Sequence, residues 1–65
     1  MKTMNKLIAK FKKMYPEYDA WFDEEMSQPH YYWVAITEPV LGLTSRHLFE
    51  SCKEFDEWIN NVVLD

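Results

Sequence analysis

The chain has one glycine and one cysteine among its 65 residues, no acidic residue before position 17, and no apolar run longer than a single strand. Each scarcity excludes something. With Gly42 alone there is no glycine-rich loop to cradle a phosphate. Cys52 has no partner in the chain for a disulfide, and a lone thiol fits a reducing compartment. Lysines interrupt the N-terminal sequence "MKTMNKLIAKFKKM" before it reaches the roughly seven apolar residues of a signal-peptide core. No stretch approaches the roughly 18 apolar residues of a membrane span. A cytoplasmic protein with no membrane attachment is expected.

What is present is apolar and aromatic: 48% of the residues are hydrophobic and 17% aromatic, a composition that folds. A chain of this length makes one domain and buries only about 60% of its unfolded surface. It therefore depends on dense packing or on association, since scaffolds of this size without disulfide or metal staples often oligomerise. Charge is divided along the chain. Lys2, Lys6, Lys10, Lys12 and Lys13 precede every acid, and from Glu17 onward eleven acids face only Arg46 and Lys53. That split bears on partners, not on fold.

Met4, Leu7, Ile8, Phe11 and Met14 recur at helical spacing and predict a helix over about 4–14, with lysines on its other side. Pro16 stops it and suits the first turn of a second helix over about 16–26. In that helix Tyr18, Trp21, Phe22 and Met26 would form a buried stripe, and the acids near its end oppose the helix dipole. "YYWVAIT" predicts a strand over about 31–37 with aromatic or apolar side chains on both faces. "EPVLG" supplies a turn, and a more polar strand follows over about 43–49. "SCKE" from Ser51 has the form of a capping box ahead of Phe55, Trp58, Ile59, Val62 and Val63, which predicts a helix over about 52–63. The expected fold is α+β in the order ααββα, with the helices packed on one face of a short antiparallel hairpin.

Motifs for catalysis are missing. His30, His47 and Cys52 match no zinc-ligand spacing, and Cys52, although at a helix start, has no placed base. Acids such as Glu38 read as solvent-facing, and paired carboxylates need one member in an apolar pocket. No enzyme, cofactor or metal is expected.

The surface suggests binding instead. On helices, Asp19 with Asp23, and Glu50 with Glu54 and Glu57, would form carboxylate rows about 5–6 Å apart. Aromatic side chains exceed what so small a core readily hides, and Tyr and Trp are typical interface anchors. Trp21 and Trp58 are assigned to the core by their stripes. Asp19, Asp23, Glu24, Tyr31 and Trp33 are assigned to a partner surface. The reading is a small acidic protein-binding module that regulates or inhibits another macromolecule, by analogy with small viral and mobile-element proteins. Three alternatives follow from the same residues: a nucleic-acid mimic, nucleic-acid binding through Lys6, Lys10 and Lys13, and a structural homodimer formed through the strand of Trp33.

Overall fold

The computed structural model describes residues 2–62. Helix α1 spans Lys2–Met14, strands β1, β2 and β3 span Asp19–Gln28, Tyr31–Thr37 and Thr44–Phe49, and helix α2 spans Cys52–Asn61. The strands form one sheet in the order β1-β2-β3, antiparallel throughout. The molecule is thus α+β as expected, with the element order αβββα in place of ααββα. Val63, assigned to the last helical stripe, lies outside the described residues.

The expected helix over about 16–26 is strand β1. Its apparent 3.6-residue stripe mixes two environments: Phe22 packs against the core, whereas Trp21 and Met26 are 40% and 47% exposed. Alternation describes the segment better, with Ala20 buried and its neighbour Trp21 turned outward. Three physical terms favour the strand. Adjacent Trp21 and Phe22 suit a pleated surface, and acids at a helix C-terminus are disfavoured. A two-stranded sheet is also marginal until a third strand joins it. Pro16 serves in a turn, where the Tyr18 N–H donates to the Tyr15 carbonyl at 3.0 Å, and not at a helix start.

A two-residue connection, Pro29–His30, joins β1 to β2, because Gln28 pairs with Tyr31. His30 has φ 71°, and a proline followed by a positive φ is the order of a type II turn. Tyr31–Thr37 has the expected bounds. β3 begins at Thr44, one residue later than expected.

Nine buried side chains make the core. Met4, Ile8 and Phe11 come from α1, Ala20, Val34, Ile36 and Phe49 from the sheet, and Phe55 and Ile59 from α2. The sheet members occupy one alternating set, since Ala20 pairs with Ile36 and Tyr32 with Phe49. Phe11 stacks on Trp58 at 5.9 Å and Phe49 meets Phe55 at 4.8 Å, so α1, α2 and β3 share one aromatic cluster. Fully burying a ring of this kind stabilises by about 1.5–3 kcal/mol. Trp58 is partly buried against that cluster.

Ser51 caps α2 as its sequence predicts, its hydroxyl accepting from the Glu54 N–H at 3.1 Å. The Glu54 carboxylate reaches back one residue further than a capping box requires, to the Glu50 N–H at 2.8 Å. Lys10 and Asp56 join the two helices at 2.6 Å.

Candidate functional site

β2 is apolar on both sides, so the sheet has a second apolar face away from the core. Ladder pairing arranges this face in rows: Asp23–Trp33–Leu48, Trp21–Ala35–Arg46 and Asp19–Thr37–Thr44. Trp21, Tyr31 and Leu48 are 40%, 52% and 42% exposed, whereas Ala35 is wholly buried. A methyl side chain flanked by Trp21 and Arg46 is shielded by those larger neighbours. The face thus has an aromatic centre, carboxylates along β1 and one guanidinium on β3. Exposed apolar side chains scattered singly need no explanation, but a connected patch marks an interaction surface.

Four of the five expected partner residues, Asp19, Asp23, Tyr31 and Trp33, fall on this face by alternation. Glu24 does not: it lines a shallow hollow with Phe22 and Tyr32, beyond an irregularity in the ladder. Asp23 pairs with Trp33 and Gln28 with Tyr31, so Glu24–Ser27 oppose Tyr32 alone and the strand bulges.

Asp23 builds that bulge. Its Oδ1 accepts from the Met26 N–H at 3.2 Å, its carbonyl accepts from the Ser27 hydroxyl at 2.6 Å, and its Oδ2 faces Arg46 Nε at 3.5 Å. The Trp33 N–H, which the bulge deprives of a ladder partner, donates to Ser27 Oγ at 3.0 Å. With a side chain only 15% exposed, Asp23 positions the face more than it reaches from it. Asp19 is the outward carboxylate, its side chain 64% exposed beside Lys12 at 3.5 Å.

The carboxylate row expected of Asp19 with Asp23 does not have helical pitch, because both residues lie on β1. Four residues along a strand separate Asp19 from Asp23 by about 13 Å, not by a helical turn. In the other expected row Glu54 and Glu57 lie three residues apart on α2, while Glu50 precedes the helix and donates its N–H to the Glu54 carboxylate. The basic helix is partly committed: Lys10 pairs with Asp56 and Lys12 with Asp19, while Lys6 and Lys13 are exposed lysines outside those two pairs. Such half-exposed pairs contribute about 0–1 kcal/mol each, but they divide the phosphate-binding set.

Trp21, Arg46 and Leu48 were not assigned to the surface by sequence reasoning. Trp21 fitted a helical stripe. Leu48 and Arg46 carry a signal once β3 is aligned, because both alternate with His47 and the buried Phe49.

Ser45 Oγ and His47 Nε2 lie 3.1 Å apart, and burial against Trp58 pushes the His47 pKa down, favouring the neutral ring. Among the described residues no carboxylate orients the other ring nitrogen, as a nucleophile–base pair requires. Among the described residues no three His, Cys, Asp or Glu side chains converge as metal ligands, and no helix is long and apolar enough to cross a membrane. Cys52 is half-buried and free. Comparisons of the chain with protein-family models, with curated proteins and with solved structures find no match.

Proposed function

We propose that the protein binds another protein through the open face of its sheet and acts as a non-enzymatic cytoplasmic regulator or inhibitor. With the helix side chains sharing the core on one side of the sheet, the opposite side is the recognition surface. Trp21, Tyr31, Trp33 and Leu48 supply the contact area. Asp19 and Arg46 give the rim its charge and orientation. The observation that supports this reading is that Trp21, Tyr31 and Leu48, exposed by 40%, 52% and 42%, share one face of the sheet with Trp33, which pairs with Leu48 and stands two residues from Tyr31 on β2. Tyr and Trp anchors of this kind dominate binding energies.

Affinity capture with quantitative mass spectrometry tests it. A protein retained by the wild type should be lost with Trp21→Ala/Tyr31→Ala and kept with Lys6→Gln/Lys13→Gln. Loss with the lysine variant alone would transfer the function to α1, and nucleic acid would then be the partner to test.

A further inference from the structure

Glu24 and its neighbours form a second surface, on the other side of the sheet from Trp21 and Tyr31. Phe22 pairs with the buried Val34 and Tyr32 with the buried Phe49, so both rings stand on the core side. They are half-buried at the margin of the core and packed against it, with centroids 6.2 Å apart and planes tilted by 48°. Beside them opens a hollow of about 410 Å³, with Phe22, Tyr32, Pro29, Glu24 and Gln28 on its walls. The bulge places Glu24 there, because Glu24–Ser27 oppose Tyr32 alone across the ladder.

The chemistry of the hollow selects a cation. An aromatic face attracts positive charge within about 6 Å of its centroid, and Glu24 adds a full negative charge. Among the described residues that carboxylate has no ion pair or hydrogen bond, and no lysine or arginine lines the hollow. From Glu17 onward eleven acids against Arg46 and Lys53 add a field that draws cations. Geometry narrows the choice. A guanidinium is flat, and it stacks on a ring while donating hydrogen bonds from its edge. Here the Glu24 carboxylate and the Gln28 amide oxygen border the two rings as acceptors. A small-molecule pocket buries about 70–90% of its ligand, which a hollow this shallow does not do, so the cation arrives as part of a larger molecule.

We propose that this hollow receives an arginine side chain of a protein partner, its guanidinium over the Phe22–Tyr32 pair and hydrogen-bonded to Glu24. The site is separate from the open sheet face, so each proposal can fail without the other.

An NMR titration of the protein with N-acetylarginine methylamide tests it. Saturable shifts should centre on Phe22, Glu24, Gln28 and Tyr32 and spare the Trp21 indole N–H. N-acetylcitrulline methylamide, of the same shape without the charge, should give no saturable shift. Tetramethylammonium, a cation with no N–H, should bind more weakly than the arginine probe. Glu24→Gln, at an exposed position, should weaken the arginine probe by about threefold or more, and Tyr32→Leu should weaken it too. Asp19→Asn should bind as the wild type does. No saturable shift with the arginine probe into the tens of millimolar overturns the proposal, as does a Glu24→Gln variant that binds unweakened. So does equal binding of the citrulline probe or of tetramethylammonium, or a loss in Asp19→Asn as large as that in Glu24→Gln.

Discussion

Position 30 holds a histidine at φ 71°, a conformation that costs an L-residue about 1–2 kcal/mol and glycine nothing. His30→Gly is expected to stabilise the protein by up to about 1 kcal/mol after glycine's greater freedom in the unfolded chain is subtracted. Thermal unfolding by circular dichroism reads this directly as a higher midpoint. Glu38 shows the opposite economy, a side chain whose charge organises backbone. Partial desolvation alone would raise its pKa, but N–H groups of Val40, Leu41, Leu43 and Gly42 together lower it below the ordinary 4.5. A carboxylate lowered on folding contributes stability above its unfolded pKa and loses it as pH falls through the folded value. The urea midpoints of wild type and Glu38→Gln should therefore differ at neutral pH and converge in acid. His47 titrates in a higher window: burial lowers its pKa from 6.5, so protonation favours the unfolded chain. Stability should begin to fall as pH drops below 6.5, and His47→Gln should flatten that limb of the curve.

At the scale of elements, α2 and β1 are instructive opposites. In α2 every local signal agrees: the Ser51 cap, Glu54 in the first turn, and the buried pair Phe55 and Ile59 four residues apart. Ser51→Ala should cost about 1 kcal/mol, measured by chemical denaturation. Its start was legible because capping and periodicity are local. β1 was not, because its apolar residues satisfy two periods at once. Tyr18, Trp21, Phe22 and Met26 fit a helix, while Ala20 and Phe22 against Trp21 and Asp23 fit a strand. Only pairing with β2, a contact distant from any short window, decides between them. The acids near the end of the presumed helix already conflicted with its dipole, and that conflict marked the error. The bulge at Glu24–Ser27 was illegible for the same reason, since Ser27 gains its role only from the Trp33 N–H across the ladder. The face containing Tyr31 and Trp33 was legible nonetheless, because β2 is apolar on both sides and a core can occupy only one.

For the molecule as a whole, a domain of this size is stable by about 3–10 kcal/mol. Phe55→Ala would open a cavity in the shared aromatic cluster at a cost of about 3–5 kcal/mol, comparable with the entire stability. Urea denaturation followed by far-UV circular dichroism should accordingly show a midpoint lowered by about a third or more of its wild-type value. By contrast Trp21, Tyr31 and Leu48 contribute comparatively little to that core while remaining large, apolar and exposed. A chain with so few residues to spare places three of its larger side chains outside the core, and a binding role for the open sheet face accounts for that placement. Site-specific photo-crosslinking tests this most directly, with p-benzoylphenylalanine installed in place of Tyr31 on the face or in place of Lys6 on α1. The account predicts a discrete crosslinked protein partner from position 31 and none from position 6. Equal crosslinking from both positions, or a partner captured from position 6 alone, would contradict it.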